Sequence, residues 1–148
     1  GTGVFSGYGN DAANLLVGEA GGNSLFGRGG ADQLRGLGGA DTLYGEAGDD
    51  LLDGGEGNDL LVGGAGADAL SGGAGDDTAS YAGATRGVVL DLADVGRNEG
   101  DAKGDTYDGI EVFVGSAWAD RMFGDDGANR LEGGAGFDRL EGGAGVMD

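Results

Sequence analysis

Gly returns every nine residues along this chain, at positions 9, 18, 27, 36, 45, 54, 63 and 72, and again at 115, 124, 133 and 142. A fixed short period means that one small unit is stacked on copies of itself, which excludes most globular folds at once. Written from that Gly, successive units read GRGGADQLR (27–35), GLGGADTLY (36–44), GEAGDDLLD (45–53), GGEGNDLLV (54–62) and GGAGADALS (63–71). The fourth place is Gly in every unit except those with Ala12 and Trp118. The sixth holds Asp32, Asp41, Asp50, Asp59, Asp68, Asp77, Asp120 and Asp138, with Asn14, Asn23, Asn129 and Met147 as departures. The eighth holds Leu16, Leu25, Leu34, Leu43, Leu52, Leu61, Leu70, Leu131 and Leu140, with Ala79 and Met122 substituting.

Each column has its own physical task. The Gly-rich six residues predict a tight turn, since Gly alone enters positive φ cheaply, and bare backbone there can aim several carbonyls at one spot. The remaining x-Leu-x predicts a short strand with Leu on one face and its neighbours on the other. One Leu per unit is too little for a core. Two units per coil would bring Leu from opposite strands together, and stacked coils would bury a continuous apolar column between two parallel sheets. The fold class expected is therefore all-β, a parallel β-roll (a right-handed β-solenoid). Leu16, Leu34, Leu52 and Leu70 lie on one sheet and Leu25, Leu43 and Leu61 on the other.

Composition becomes informative once the period is known. Gly supplies 39 of 148 residues, Lys and Arg only 8 against 27 Asp and Glu, and the formal net charge is −19. Outside a repeat, such a composition reads as disorder. His, Cys and Pro are all absent. That removes disulfide frameworks, His/Cys zinc sites and every triad or dyad that needs an imidazole or thiol. The negative balance opposes nucleic acid and anionic membranes. No apolar stretch reaches the roughly 18 residues of a membrane span, and the first residues lack the features of a signal peptide. The repeat runs up to the last residues, which predicts a single module belonging to a larger protein.

In an 18-residue coil Asp32 stacks on Asp50, Asp41 on Asp59, Asp50 on Asp68, Asp59 on Asp77, and Asp120 on Asp138. Strands lie about 4.8 Å apart, so these carboxylates form self-repelling columns. A hard divalent cation with oxygen ligands relieves that repulsion, and Ca²⁺ accepts the flexible geometry that Mg²⁺ does not. The competing reading, in which each Asp merely caps its turn, suits a single Asp better than a row of six. The Asp pairs predict about five strong Ca²⁺ sites, and weaker sites at Asn14, Asn23 and Asn129 bring the total to about eight. Met147 breaks the column.

The pattern G-G-x-G-x-D-x-L-x resembles the nonapeptide of RTX (repeats-in-toxin) proteins over 9–80 and 115–145, about two-thirds of the chain. This resemblance implies Ca²⁺ bound by the sixth-place Asp and by turn carbonyls. It also implies a secreted, extracellular protein exported unfolded by type I secretion machinery. Residues 81–114 depart from the period and resemble the connectors between repeat blocks in large RTX exoproteins, adenylate cyclase toxins among them. Alternation predicts strands near 88–92 and 110–114, with an acidic loop over 93–108 between a first block (9–80) and a second (115–148). That loop is either a solvated excursion or a further Ca²⁺ site built on Asp101, Asp105 and Asp108.

Places seven and nine of each unit should face solvent. Phe26, Tyr44 and Val62 then stack on one sheet, either as a ladder shielding its own strands or as a docking face for a neighbouring domain or a sugar ring. Arg121, Arg130 and Arg139 at place seven, with Glu132 and Glu141 at place nine, read as surface ion pairs or as an anionic-polysaccharide site. Catalysis is not expected of this module. Its function is expected to be calcium-dependent folding outside the cell, with adhesion or carbohydrate binding as the alternative.

Overall fold

The computed structural model describes residues 4–143; Met147 and the end of the second block lie outside the described residues. The chain is all-β, and its described strands, in order, are β1 (Ser6–Tyr8), β2 (Leu15–Val17), β3 (Ser24–Gly29), β4 (Gln33–Gly38), β5 (Thr42–Ala47), β6 (Leu51–Glu56), β7 (Leu60–Ala65), β8 (Ala69–Ala74), β9 (Thr78–Ser80), β10 (Val89–Asp91), β11 (Thr106–Asp108), β12 (Val112–Val114), β13 (Arg121–Phe123), β14 (Arg130–Glu132) and β15 (Arg139–Glu141). Every pair of named strands is parallel. The chain winds as a β-solenoid with two units per coil, and the register inside the repeats (Leu25↔Leu43↔Leu61, Leu16↔Leu34↔Leu52↔Leu70) is the one expected from the period.

Three sheets make the two walls. One wall is a continuous seven-stranded sheet, β1-β3-β5-β7-β9-β12-β14. The facing wall is divided into β11-β8-β6-β4-β2 and β10-β13-β15. The division falls in the connector. Strands β10 and β12 lie where alternation placed them, but 93–108 is more than a loop. It contains two single-turn 3-10 helices, Val95–Arg97 and Gly100–Ala102, and then β11, which closes the edge of β8. The pairing offsets across this seam are Ala69↔Thr106, Thr78↔Val112 and Val89↔Arg121, none of them a multiple of nine, so the period could not show them.

Strands β3 to β8 are six residues long rather than three. The strand runs on through the first three places of the next unit, because the first-place Gly turns inward and the third pairs onward. The second place bends the strand at positive φ, occupied by Arg28, Leu37 and Glu46 in three successive units and by Gly55, Gly64 and Gly73 in the next three.

The core is the Leu column. Leu25, Leu34, Leu43, Leu52 and Leu61 are fully buried. Where Ala79 leaves a small side chain in the column, its neighbour across the sheet is the bulky, buried Phe113. Phe113 meets Tyr107 edge-on, with ring centroids 5.1 Å apart, and Tyr107 itself extends the opposite column beyond Leu70. Truncating Leu52 to Ala in the middle of the roll should cost about 2–5 kcal/mol, since neither neighbouring coil can collapse into the gap. Thermal unfolding of the calcium-loaded protein measures this.

On the outside, Tyr8, Phe26 and Tyr44 stack with centroids 5.0 and 4.9 Å apart and planes 7° and 6° from parallel. Their faces are turned to one another, as in a ladder that shields its own strands. Arg121 and Arg139 neighbour each other on β13 and β15, whereas Arg130 lies on β14 in the other wall. The three Arg therefore do not form one row. Arg130 pairs with Glu132 at 2.9 Å, and Arg139 pairs with Glu141. Among the described residues no helix is long and apolar enough to cross a membrane.

Candidate metal centre

The sixth-place Asp follows the turn and precedes the strand, so its backbone is fixed by the ladder while its side chain folds back into the turn. Asp32, Asp41, Asp50, Asp59, Asp68 and Asp77 are all at most 3% exposed. One oxygen of each is accounted for along the columns. The Asp32, Asp41, Asp50 and Asp59 N–H groups donate to Oδ1 of Asp50, Asp59, Asp68 and Asp77 at 2.8, 2.8, 2.9 and 2.8 Å. Oδ1 of Asp32 and Asp41 likewise accept from Asn14 and Asn23 N–H, at 2.7 and 2.6 Å. Each carboxylate thus staples its coil to the one before.

The other oxygen is orphaned. Oδ2 of Asp32, Asp41, Asp50, Asp59, Asp68 and Asp77 is buried without a hydrogen-bond partner. Leaving one such oxygen buried is expensive, and six in one small domain is outside ordinary experience. The first-place Gly shows what surrounds them. A Cβ on Gly45 would lie 2.3 Å from Asp50 Oδ2 and 2.7 Å from the Gly63 carbonyl of the next coil. The same two kinds of oxygen face Gly27, Gly36 and Gly54. The missing side chain lets a carboxylate oxygen and a carbonyl converge, with no donor between them. This donor set, all oxygen and partly anionic, fits a hard cation such as Ca²⁺. Among the described residues, no group of three acidic side chains is arranged to hold a metal, so carbonyls would have to complete each shell.

Burial pushes the carboxyl pKa of Asp41, Asp50, Asp59 and Asp77 upward, and that of Asp68 up to about 7. The backbone N–H bond opposes the shift, while stacked carboxylates add to it for Asp50, Asp59, Asp68 and Asp77. A folded-state pKa above the unfolded value stabilises the fold fully only below the unfolded pKa, and that stability is lost as pH rises through the folded pKa. The metal-free roll should therefore gain β-structure on acidification from pH 8 toward about 4. Far-UV circular dichroism in chelator reads this directly, and a spectrum indifferent to pH would contradict it.

The other sixth-place residues differ from these six. The side-chain oxygens of Asn14, Asn23 and Asn129 accept N–H groups of their own turns, from Asn10, Glu19 and Asp125. The Asn23 amide also donates to the Gly21 carbonyl at 2.6 Å. Both oxygens of Asp120 are engaged: Oδ1 accepts from Val88 N–H and Ser116 Oγ, and Oδ2 from Ser116 N–H, each at 2.7 Å. Asp138 Oδ1 accepts from Asp120 N–H at 3.0 Å.

Two acids in the connector occupy the sixth place without sharing its period. Asp105, fully buried, accepts Asp68 N–H at 2.8 Å as the next Asp of a column would. Its Oδ2 is not free, because the Tyr81 hydroxyl donates to it at 2.6 Å. Glu111 accepts Asp77 N–H at 2.9 Å on the other edge. The alternative reading of the loop, a cluster of Asp101, Asp105 and Asp108, does not form; Asp108 is exposed, and only Asp105 turns inward. The sequence does hold a signal for Asp105, since GDAKGDTYD (100–108) keeps Gly, Asp and an apolar-bodied Tyr at the first, sixth and eighth places, one residue out of phase.

A family model described as the RTX calcium-binding nonapeptide repeat matches residues 8–43, 27–61, 44–79, 105–140 and 123–146. No curated protein matches the chain. The matched stretches take in the Asp columns, the orphaned oxygens and the off-period strand β11. The chain belongs to the RTX calcium-binding nonapeptide repeat family, and it is a calcium-binding module of that family.

Proposed function

We propose that this module folds by binding Ca²⁺ and that the switch separates an unfolded state inside the cell from a folded one outside. The observation that carries the reading is the set of six buried, unpartnered Asp Oδ2 atoms. Asp32, Asp41, Asp50, Asp59, Asp68 and Asp77 hold the ions together with turn carbonyls, and Asp138 holds a weaker, more exposed one. Asn14, Asn23 and Asn129, whose oxygens already accept N–H groups, contribute least, and Asp120 acts mainly as a staple. The full complement is about five to eight ions. Eight would supply +16 against the net charge of −19. Without them the carboxylates repel, and a chain with 39 Gly has little apolar surface to oppose its backbone entropy. Binding free energy then becomes folding free energy.

Extracellular calcium modules bind at about 10⁻⁴–10⁻³ M. Cytosolic calcium is far below that range, so the chain would stay extended until export through a type I route and fold on release. Neighbouring domains of the same protein would be held at the two ends of the roll.

Limited proteolysis tests the reading. With millimolar Ca²⁺ the chain should resist cleavage between 20 and 110, whereas with chelator, or with Mg²⁺ at the same concentration, it should be digested throughout. Equal resistance in all three conditions would contradict it.

A further inference from the structure

Read by period alone, the column of Asp41, Asp59 and Asp77 ends at Asp77, because the residue eighteen further on belongs to the connector. The column does not end there in the structure. Asp77 is fully buried, and its Oδ2 is unpartnered like those of the inner coils. A Cβ on Gly72 would lie 2.5 Å from that oxygen and 2.2 Å from the Gly109 carbonyl. Gly109 therefore stands where the first-place Gly of a further coil would stand. Glu111 follows two residues later. Its N–H donates to the Asp77 carbonyl at 3.1 Å, and its Oε2 accepts Asp77 N–H at 2.9 Å. Among the described residues no donor reaches its Oε1. Six residues of turn (72–77) thus face only three (109–111), and the longer Glu side chain spans the remaining distance.

The opposite edge has no such arrangement. Asp68 Oδ2 is also orphaned, but the partner carboxylate of Asp105 is closed by Tyr81. The two edges of the seam are chemically different, although the same two blocks meet there.

We propose that Glu111, which lies outside the nonapeptide columns, completes the Ca²⁺ site of Asp77 and the Gly109 carbonyl and so fastens the end of the first repeat block to β12. The site rests on the reading that the Asp columns hold calcium. It would tie the connector into the same calcium-dependent unit as the repeats, since β12 is the strand through which the long wall continues from β9 to β14.

Counting calcium per chain by native mass spectrometry at saturating Ca²⁺ tests it. Glu111→Gln keeps the size of the side chain and an acceptor for Asp77 N–H, and should carry one ion fewer than the unsubstituted chain. Asp77→Asn combined with it should lose no more than Asp77→Asn alone. Glu111→Asp keeps the charge and should retain the ion with at least about tenfold weaker affinity. An unchanged count in Glu111→Gln would overturn the site. So would loss of folding in both Glu111 variants alike, which would make Glu111 a structural staple only. An unsubstituted chain that takes up no calcium would instead refute the reading of the columns themselves.

Discussion

Replacing Asp50 and Asp59 together by Asn should raise the calcium midpoint for folding by well over tenfold. Asn is nearly the same size and keeps an oxygen for the Asp32 and Asp41 N–H groups, so the backbone staples at 2.8 Å can persist. What changes is the second atom. An amide NH₂ replaces each orphaned Oδ2, and it lies beside the Gly63 or Gly72 carbonyl as a donor that cannot ligate a cation. Each substitution also removes a unit charge from a site where even two unit charges attract by about 4 kcal/mol at 4 Å and an effective dielectric near 20. A tenfold change needs only about 1.4 kcal/mol, so even a third of that term per site moves the midpoint measurably. Asp120→Asn is the control. Both oxygens of Asp120 already accept protein donors, so this change should lower stability through one lost hydrogen bond, about 1 kcal/mol, and leave the calcium midpoint within about threefold. Equal effects from the two replacements would reduce the Asp columns to turn chemistry.

Gly48→Ala should prevent the central coils from stacking at any calcium concentration. Gly48 has φ 141°, and a Cβ there would lie 1.8 Å from the Gly30 carbonyl oxygen of the preceding coil. That oxygen belongs to backbone held on both sides, so it cannot yield as a flexible side chain would. The cost exceeds the about 1 kcal/mol of an ordinary Gly-to-Ala conformational change and adds the separation of two coils. Ala12, at the same place in its unit, shows the rule from the other side. In the coil that follows it, Gly30 makes room for it: a Cβ on Gly30 would lie 2.7 Å from the Ala12 carbonyl carbon. Circular dichroism of Gly48→Ala in saturating Ca²⁺ should show a large loss of β-signal, and a spectrum like that of the unsubstituted chain would contradict this packing.

The repeat was legible in the sequence because each column has a single physical task that tolerates few residues. Leu52 fills a fixed volume, Gly45 clears a fixed point and Asp50 reaches a fixed N–H. The ligand geometry was legible only in outline. That Asp120 differs from Asp50 depends on Ser116 and Val88, and no spacing rule brings those two to it. The connector was the least legible part. Its strand β11 repeats the Gly-Asp-Tyr places out of phase, and Glu111 reaches its rung after a shortened turn, so a period of nine cannot find either. The compensation of Ala79 by Phe113 is likewise a matter of pairing across the seam rather than of order along the chain.

The central claim is that the orphaned Asp oxygens make folding depend on calcium, and a Ca²⁺ titration followed by far-UV circular dichroism tests it most directly. The account predicts a coil spectrum in chelator at pH 8. It predicts a cooperative transition to β-structure with a midpoint of about 10⁻⁴–10⁻³ M Ca²⁺, and no such transition with Mg²⁺. A chain already fully β in chelator, unchanged by calcium, would contradict it.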